Sequence, residues 1–142
     1  MARANATQHG VEDRLTFAQG SWFEALAFAS PTGGDEETFD LIVSNPPYIT
    51  SAVVETLAPE VKDFDPRLAL DGGPDGLSPY RVIAAEAAHF LRPGGWVMVE
   101  IGHDQGVSVP TLLAQQGFGE IGVHKDLNGL DRVVMAHHLG GN

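Results

Sequence analysis

The sequence predicts an α/β fold: a parallel sheet core closed at one edge by an antiparallel hairpin. Strand-like and helix-like segments alternate through the middle of the chain, the pattern of a sheet with crossover helices. Phe39–Ser44, FDLIVS, is a near-continuous apolar run that leads straight into Asn45-Pro46-Pro47-Tyr48. Such a run suits a parallel strand covered on both faces. Near the C-terminus two strand-like runs are joined by DLNGLD, whose Asn-Gly pair is a hairpin signal.

In chain order, Arg3–His9 reads as a helix closed by Gly10, and a helix so near residue 1 is expected to be the middle of an element. Arg14–Ala18 is a short strand candidate with alternating Leu15 and Phe17, and Trp22–Leu26 is an apolar turn or short helix. Ala29–Thr38 is a polar loop. After the Phe39–Ser44 strand, Ser51–Leu57 suits a short helix, and Pro59–Leu77 is a long Pro- and Gly-rich stretch, a kind that is usually functional or disordered. Ser78 as cap and Pro79 in the first turn begin a helix whose Tyr80, Ile83, Ala87 and Phe90 recur at helical spacing, with Leu91 beside them. Pro93-Gly94-Gly95 turns into a strand, Trp96–Ile101. Ser108–Gln116 is a helix with Leu112 and Leu113 buried, and Phe118–Lys125 and Arg132–His137 are the hairpin strands.

Composition bounds the chemistry. The 142 residues suffice for one domain with a core. With no cysteine, disulfides, thiolate catalysis and cysteine-ligated metals are excluded. No apolar run reaches the roughly 18 residues that span a membrane, and no signal peptide is seen, so a cytoplasmic location is expected. The net charge is −11, with eight scattered Lys and Arg. Phosphate-backbone binding needs clustered cations, so a nucleic-acid partner is disfavoured. None of the six histidines has zinc-site spacing, and no metal ligand set is expected.

Asn45-Pro46-Pro47-Tyr48 carries the chemistry. Each proline fixes its own φ and removes a donor, and each residue before a proline is pushed out of the helical region. Asn45 and Pro46 therefore form a stiff, extended corner in which the Pro46 carbonyl can face a pocket. The Asn45 amide oxygen is a second acceptor, and Tyr48 supplies an aromatic wall. Two fixed acceptors can hold both N–H groups of a planar NH2, localise its lone pair and aim it at an electrophile such as a sulfonium methyl. Catalysis by such a corner is positioning and electrostatic preorganisation, with no strong base needed. The plain alternative is a rigid turn after a strand.

SNPPYI after an apolar strand, then FDPRLALDGGPDGLSPYRVI, then LRPGGWVMVEIG, closely resembles the HemK/PrmC release factor glutamine methyltransferases from about Ala2 to the last strand. Adenine methyltransferases of nucleic acid share Asn-Pro-Pro-Tyr. The element Asp65-Pro66 with Ala69-Leu70, Gly72-Gly73 and Asp75-Gly76-Leu77 is more specific and tips the choice to glutamine. The resemblance implies a Rossmann-like class I methyltransferase sheet, S-adenosyl-L-methionine as cofactor, and the glutamine of a Gly-Gly-Gln loop in a peptide chain release factor as substrate. It implies Asn45 and Pro46 as the catalytic pair, Asn45, Pro46, Pro47 and Tyr48 as the substrate pocket, and Asn45 and Trp22 beside the cofactor. Ser21 stands where the family often has Asp.

The resemblance also implies what residues 1–142 leave out. The family's glycine-rich cofactor loop, the acidic residue that binds the ribose, and the N-terminal helical domain all lie upstream of the matching region. Gly33-Gly34 and Gly72-Gly73 do not substitute, because neither has the strand–loop–helix context. The chain is thus expected to be a partial methyltransferase domain whose first two sheet strands are missing. Phe39–Ser44 would have an open edge, and Arg14–Ala18 would lack its partner. Exposed apolar edges invite pairing, so self-association is expected. A remnant that keeps a peptide-binding pocket without activity is the alternative. Of the other polar residues, Asp63, Asp71 and Asp75 read as a solvated acidic loop, and His103-Asp104 as a cap of the following helix. Glu100 is a minor candidate for the pocket.

Overall fold

The computed structural model describes residues 2–27, 38–56 and 70–140. Residues 29–37 of the predicted polar loop with Gly33-Gly34, Leu57 of the predicted helix, and residues 59–69 of the Pro- and Gly-rich stretch with Asp63, Asp65-Pro66 and Ala69 lie outside them. The chain divides into two compact units, Met1–Glu37 and Thr38–Asn142.

In the first unit, helix α1 (Ala2–Gln8) ends as the sequence predicts. Gly10 takes φ +66°, and the Val11 and Gly10 amides bond back to the Ala6 and Thr7 carbonyls at 3.0 and 3.1 Å, which satisfies carbonyls that a helix end leaves open. A 3-10 turn, Glu12–Arg14, follows, and the Arg3 guanidinium lies 5.0 Å from the centre of the Phe17 ring. The strand expected at Arg14–Ala18 is not there: Arg14 closes the 3-10 turn and the next residues have no ladder. Leu15 is extended, but extended backbone becomes a strand only by pairing, and no partner strand exists among the described residues. A short helix α2 (Glu24–Ala27) is the last element of this unit among the described residues.

The second unit holds the sheet. Strands β1 (Phe39–Ser44), β2 (Leu91–Glu100), β3 (Gly119–Lys125) and β4 (Asp131–His137) lie in the order β1-β2-β4-β3. β1 and β2 are parallel, with Leu41 opposite Trp96 and Ser44 opposite Val99. β4 runs antiparallel to both β2 and β3. The hairpin is present as the sequence predicts, folded so that its returning strand sits between β2 and β3. The turn is shaped by Asp126, whose carboxylate accepts from the Asn128 and Leu130 amides at 2.8 and 3.1 Å. Pro93–Gly95, expected as a turn, forms part of an irregularity inside β2. It is fastened to the end of β4 by Gly94 N–H to His138 O and His138 N–H to Gly95 O, both 2.8 Å.

β1 departs from expectation in its burial. Leu41 and Val43 are 48% and 67% exposed, while Ile42 and Ser44 on the other face are half-buried. Among the described residues β1 pairs with β2 alone, the open edge that the sequence leads to expect, but one of its faces is also open to solvent, so it is not covered on both faces.

Helices α3 (Ser51–Thr56), α4 (Ser78–Phe90) and α5 (Ser108–Gln115) belong to the same unit. The core joins Val97, Val99 and Ile101, from β2 and its end, to Val134 and Ala136 of β4, Tyr80, Ile83, Ala84 and Ala87 of α4, and Val109 and Leu113 of α5. Phe90, Leu112 and Trp96 are only half-buried, Trp96 stacking on His137 with ring centres 4.4 Å apart. Two capping expectations fail. Leu77, not Ser78, is the N-cap of α4, and Val107 precedes α5, neither with a side-chain cap. Ser78, exposed, is already the first helical residue, and its amide donates to Gly72 O at 3.0 Å, while His103 and Asp104 stay exposed.

Tyr80 links α4 to the sheet. Its hydroxyl donates to the Glu100 carbonyl at 2.6 Å. Burial first, then the nearby Tyr48 and Glu100, push this phenol well above its ordinary range, so it stays a donor. Tyr80→Phe keeps the packing and strands that carbonyl. It should cost about 1–3 kcal/mol of unfolding free energy, read by urea titration. An unchanged midpoint would remove the link.

Candidate active site

Parallel pairing of β1 with β2 brings their C-terminal ends to one side of the sheet. Open α/β sheets place ligands at this side. From there Asn45 is exposed, Pro46 is buried, and Pro47 and Tyr48 are half-buried. The four predicted residues therefore form one corner, with the Asn45 side chain on its solvent side.

A second segment grips this corner from behind. Ile49 and Asp71 form a parallel bridge, the Gly72 amide donates to Ile49 O at 2.7 Å, and the Ser51 amide donates to Gly73 O at 2.9 Å. The approach is too close for any side chain. A Cβ on Gly72 would lie 2.8 Å from the Pro47 carbonyl oxygen and 2.9 Å from the Tyr48 Cα, and one on Gly76 would lie 2.5 Å from the Tyr48 carbonyl oxygen. Gly72 and Gly76 are thus consumed in contact with the chain's own backbone, and Gly73 in contact with the Ser78 side chain.

Asp71, half-buried, is structural, which corrects its reading as part of a solvated loop, while Asp75 stays exposed as that reading expects. The Asp71 carboxylate accepts from the Ser51 hydroxyl at 2.6 Å and from the Gly73 amide at 2.9 Å. Asp75 pairs with Arg81 and accepts from the Leu77 amide at 3.0 Å. The Arg81 hydrogen bond first, and that amide second, hold its carboxyl down to about 2.

Tyr48 is gripped on its ring as well. A Cβ on Gly102 would sit 2.9 Å from the ring's Cδ2. Arg132 reaches the Tyr48 hydroxyl at 3.4 Å and the Ile101 carbonyl at 3.3 Å, and pairs with Asp126 at 3.5 Å. The ring is less a free wall than a support fixed from below. Sequence reasoning missed Arg132, and it missed Gln105, the buried polar side chain among the described residues, 6% exposed. Gln105 accepts from the Gly102 amide at 2.8 Å and donates to the Gly76 carbonyl at 3.0 Å. Its position just past a strand end was visible in the sequence, but its partner 29 residues upstream was not. Glu100 enters through its backbone carbonyl, which receives the Tyr80 hydroxyl.

Trp22 belongs to the first unit. It is 41% exposed and holds φ +52°, a left-handed conformation that an aromatic residue rarely adopts.

No protein-family model matches the chain. It is 48% identical over 134 residues to a release factor glutamine methyltransferase from Geobacter sulfurreducens, covering 94% of this chain and 44% of that protein. It is 46% identical over 133 residues to one from Agrobacterium fabrum, covering 94% and 43%. Among solved structures, a methyltransferase from Pyrococcus furiosus superposes with a TM-score of 0.61 at 20% identity, over 99% of this chain and 56% of that one, a likeness of fold alone. The chain spans less than half the length of the curated relatives it matches. Over that stretch the chain is similar to release factor glutamine methyltransferases.

Proposed function

We propose that Asn45-Pro46-Pro47-Tyr48 receives the side-chain amide of a glutamine in a peptide chain release factor, and that the chain is the acceptor-binding part of an S-adenosyl-L-methionine-dependent glutamine methyltransferase. The single observation that carries this reading is the corner itself: Asn45 exposed beside a buried Pro46 at the C-terminal end of β1, with the backbone behind it fixed by Gly72 and Gly76. The named relatives supply the substrate class.

In this reading the Asn45 Oδ1 and the Pro46 carbonyl accept the two N–H groups of the glutamine amide. Held so, the nitrogen loses conjugation with its carbonyl and presents its lone pair in one direction. Pro47 and Tyr48 shape the pocket floor, and the buried face of Tyr48 keeps that floor from moving. The product nitrogen releases its proton to water, so no side chain here has to act as a strong base. When bound, S-adenosyl-L-methionine supplies an electrophilic methyl group. Asn45 is the residue of the Thr38–Asn142 unit that would border it. The fit is partial: Gly72, Gly73 and Gly76 pack on Pro47, Tyr48 and Ser78, so they offer no cradle for a cofactor. This supports a second reading, in which these residues alone bind acceptor without turning it over. Calorimetry with millimolar cofactor separates the two, since binding requires a donor site and its absence favours the second.

In a polypeptide that also carries the donor half, Asn45→Ala should lower methyl transfer to a release factor by about 100- to 1000-fold, the range for losing one preorganised polar group, while cofactor affinity holds. Unchanged turnover would remove Asn45 from the mechanism. Methylation of DNA but not of a release factor would favour the adenine alternative.

The open edge of β1 bears on assembly. The exposed Leu41 and Val43 support self-association of the 142-residue chain, which light scattering at micromolar concentration should detect. Val43→Lys should shift it toward monomer; a wild-type monomer would contradict the proposal.

A further inference from the structure

We propose that Gln105 is a positioning residue for the acceptor corner, its carboxamide tying together the two surfaces that hold Tyr48. The inference rests on the reading of Asn45–Tyr48 as an amide-receiving corner, and it assigns to that corner a residue outside the motif.

Tyr48 is held at two places. Its carbonyl faces Gly76, and its ring faces Gly102. Gly76 belongs to the segment before α4, and Gly102 to the turn after β2. Gln105 joins them: Oε1 accepts from the Gly102 amide at 2.8 Å, and Nε2 donates to the Gly76 carbonyl at 3.0 Å. Its own amide donates to Gly102 O at 3.0 Å, and its carbonyl receives the Val109 amide at 3.2 Å, so the residue is also anchored to α5. The chemistry of the side chain fits the task. One planar group must offer an acceptor on one side and a donor on the other, in a place with almost no access to water. A carboxamide does both, an ionised carboxylate only accepts, and an aliphatic chain does neither. Losing either bond leaves a polar backbone group unsatisfied beside Tyr48, which costs more than the bond itself is worth. The two backbone groups that Gln105 satisfies belong to the two glycines that bound Tyr48, and this separates positioning from general packing.

The test uses the 142-residue chain as wild type, Gln105→Leu and Gln105→Glu. Amide exchange is followed by NMR, and N-acetylglutamine methylamide is titrated in as the acceptor probe. In Gln105→Leu the amides of Gly72, Gly76 and Gly102 should exchange about tenfold faster and the probe should bind about tenfold more weakly, the size expected for one lost buried hydrogen bond. Val97 and Val134 in the sheet should keep their protection. In Gln105→Glu the Gly102 amide should stay protected, because an acceptor remains, while Gly72 and Gly76 loosen. Uniform acceleration across the sheet would mean a packing role and would overturn the proposal. So would unchanged exchange at Gly72 and Gly76, or loss at Gly102 in the Glu variant. If the wild type does not bind the probe, the amide-receiving reading fails by itself, while the exchange pattern still decides whether Gln105 couples the two surfaces.

Discussion

The approach of Gly72 and Gly76 to the backbone of Pro47 and Tyr48 is the constraint on which the rest of the site depends. Two prolines make a stiff corner, but stiffness alone does not say which way the corner points. Contact with a second backbone does. A methyl group on Gly72 would fall 2.8 Å from the Pro47 carbonyl and one on Gly76 2.5 Å from the Tyr48 carbonyl, closer than real side chains come. The segment that presses so closely is fixed in turn by the Ile49–Asp71 bridge, by Asp71 on Ser51 and Gly73, and by Asp75 on Arg81. Each bond holds a loop that would otherwise be free to swing, and so holds the corner.

The sheet supplies the platform. β1 and β2 run parallel, so the Asn45 corner and the Gly102 turn emerge together. β4, inserted beside β2, delivers Arg132 to the same end, where it meets Tyr48 and Ile101. Tyr80 pins α4 to the end of β2 through the Glu100 carbonyl. The buried face of the site is therefore made of residues from three strands and a helix, and its exposed face is Asn45. That division suits a pocket in which the protein is rigid and the substrate arrives from solvent.

Much of this was legible in the sequence. The apolar run before Asn-Pro-Pro-Tyr, the Gly10 stop and the Asn-Gly hairpin follow from local chemistry, and local chemistry survives in the fold. What failed depended on partners. Arg14–Ala18 has the alternation of a strand but no neighbour among the described residues. Phe39–Ser44 reads as doubly covered but has one face open. Ser78 looks like a cap, yet Leu77 holds that place, and the Ser78 amide, already in the helix, is bonded to Gly72. Asp71 looked solvated because its partner Ser51 lies 20 residues upstream. Gln105 was invisible for the same reason: nothing near it in the sequence announces a bond to Gly76.

The most direct measurement of the central claim is a crystal structure of the chain with N-acetylglutamine methylamide. The account predicts the side-chain amide nitrogen within hydrogen-bond distance of both the Asn45 Oδ1 and the Pro46 carbonyl, its plane resting over Pro47 and Tyr48. An amide bound elsewhere, or held by its oxygen with the nitrogen turned to solvent, would contradict it.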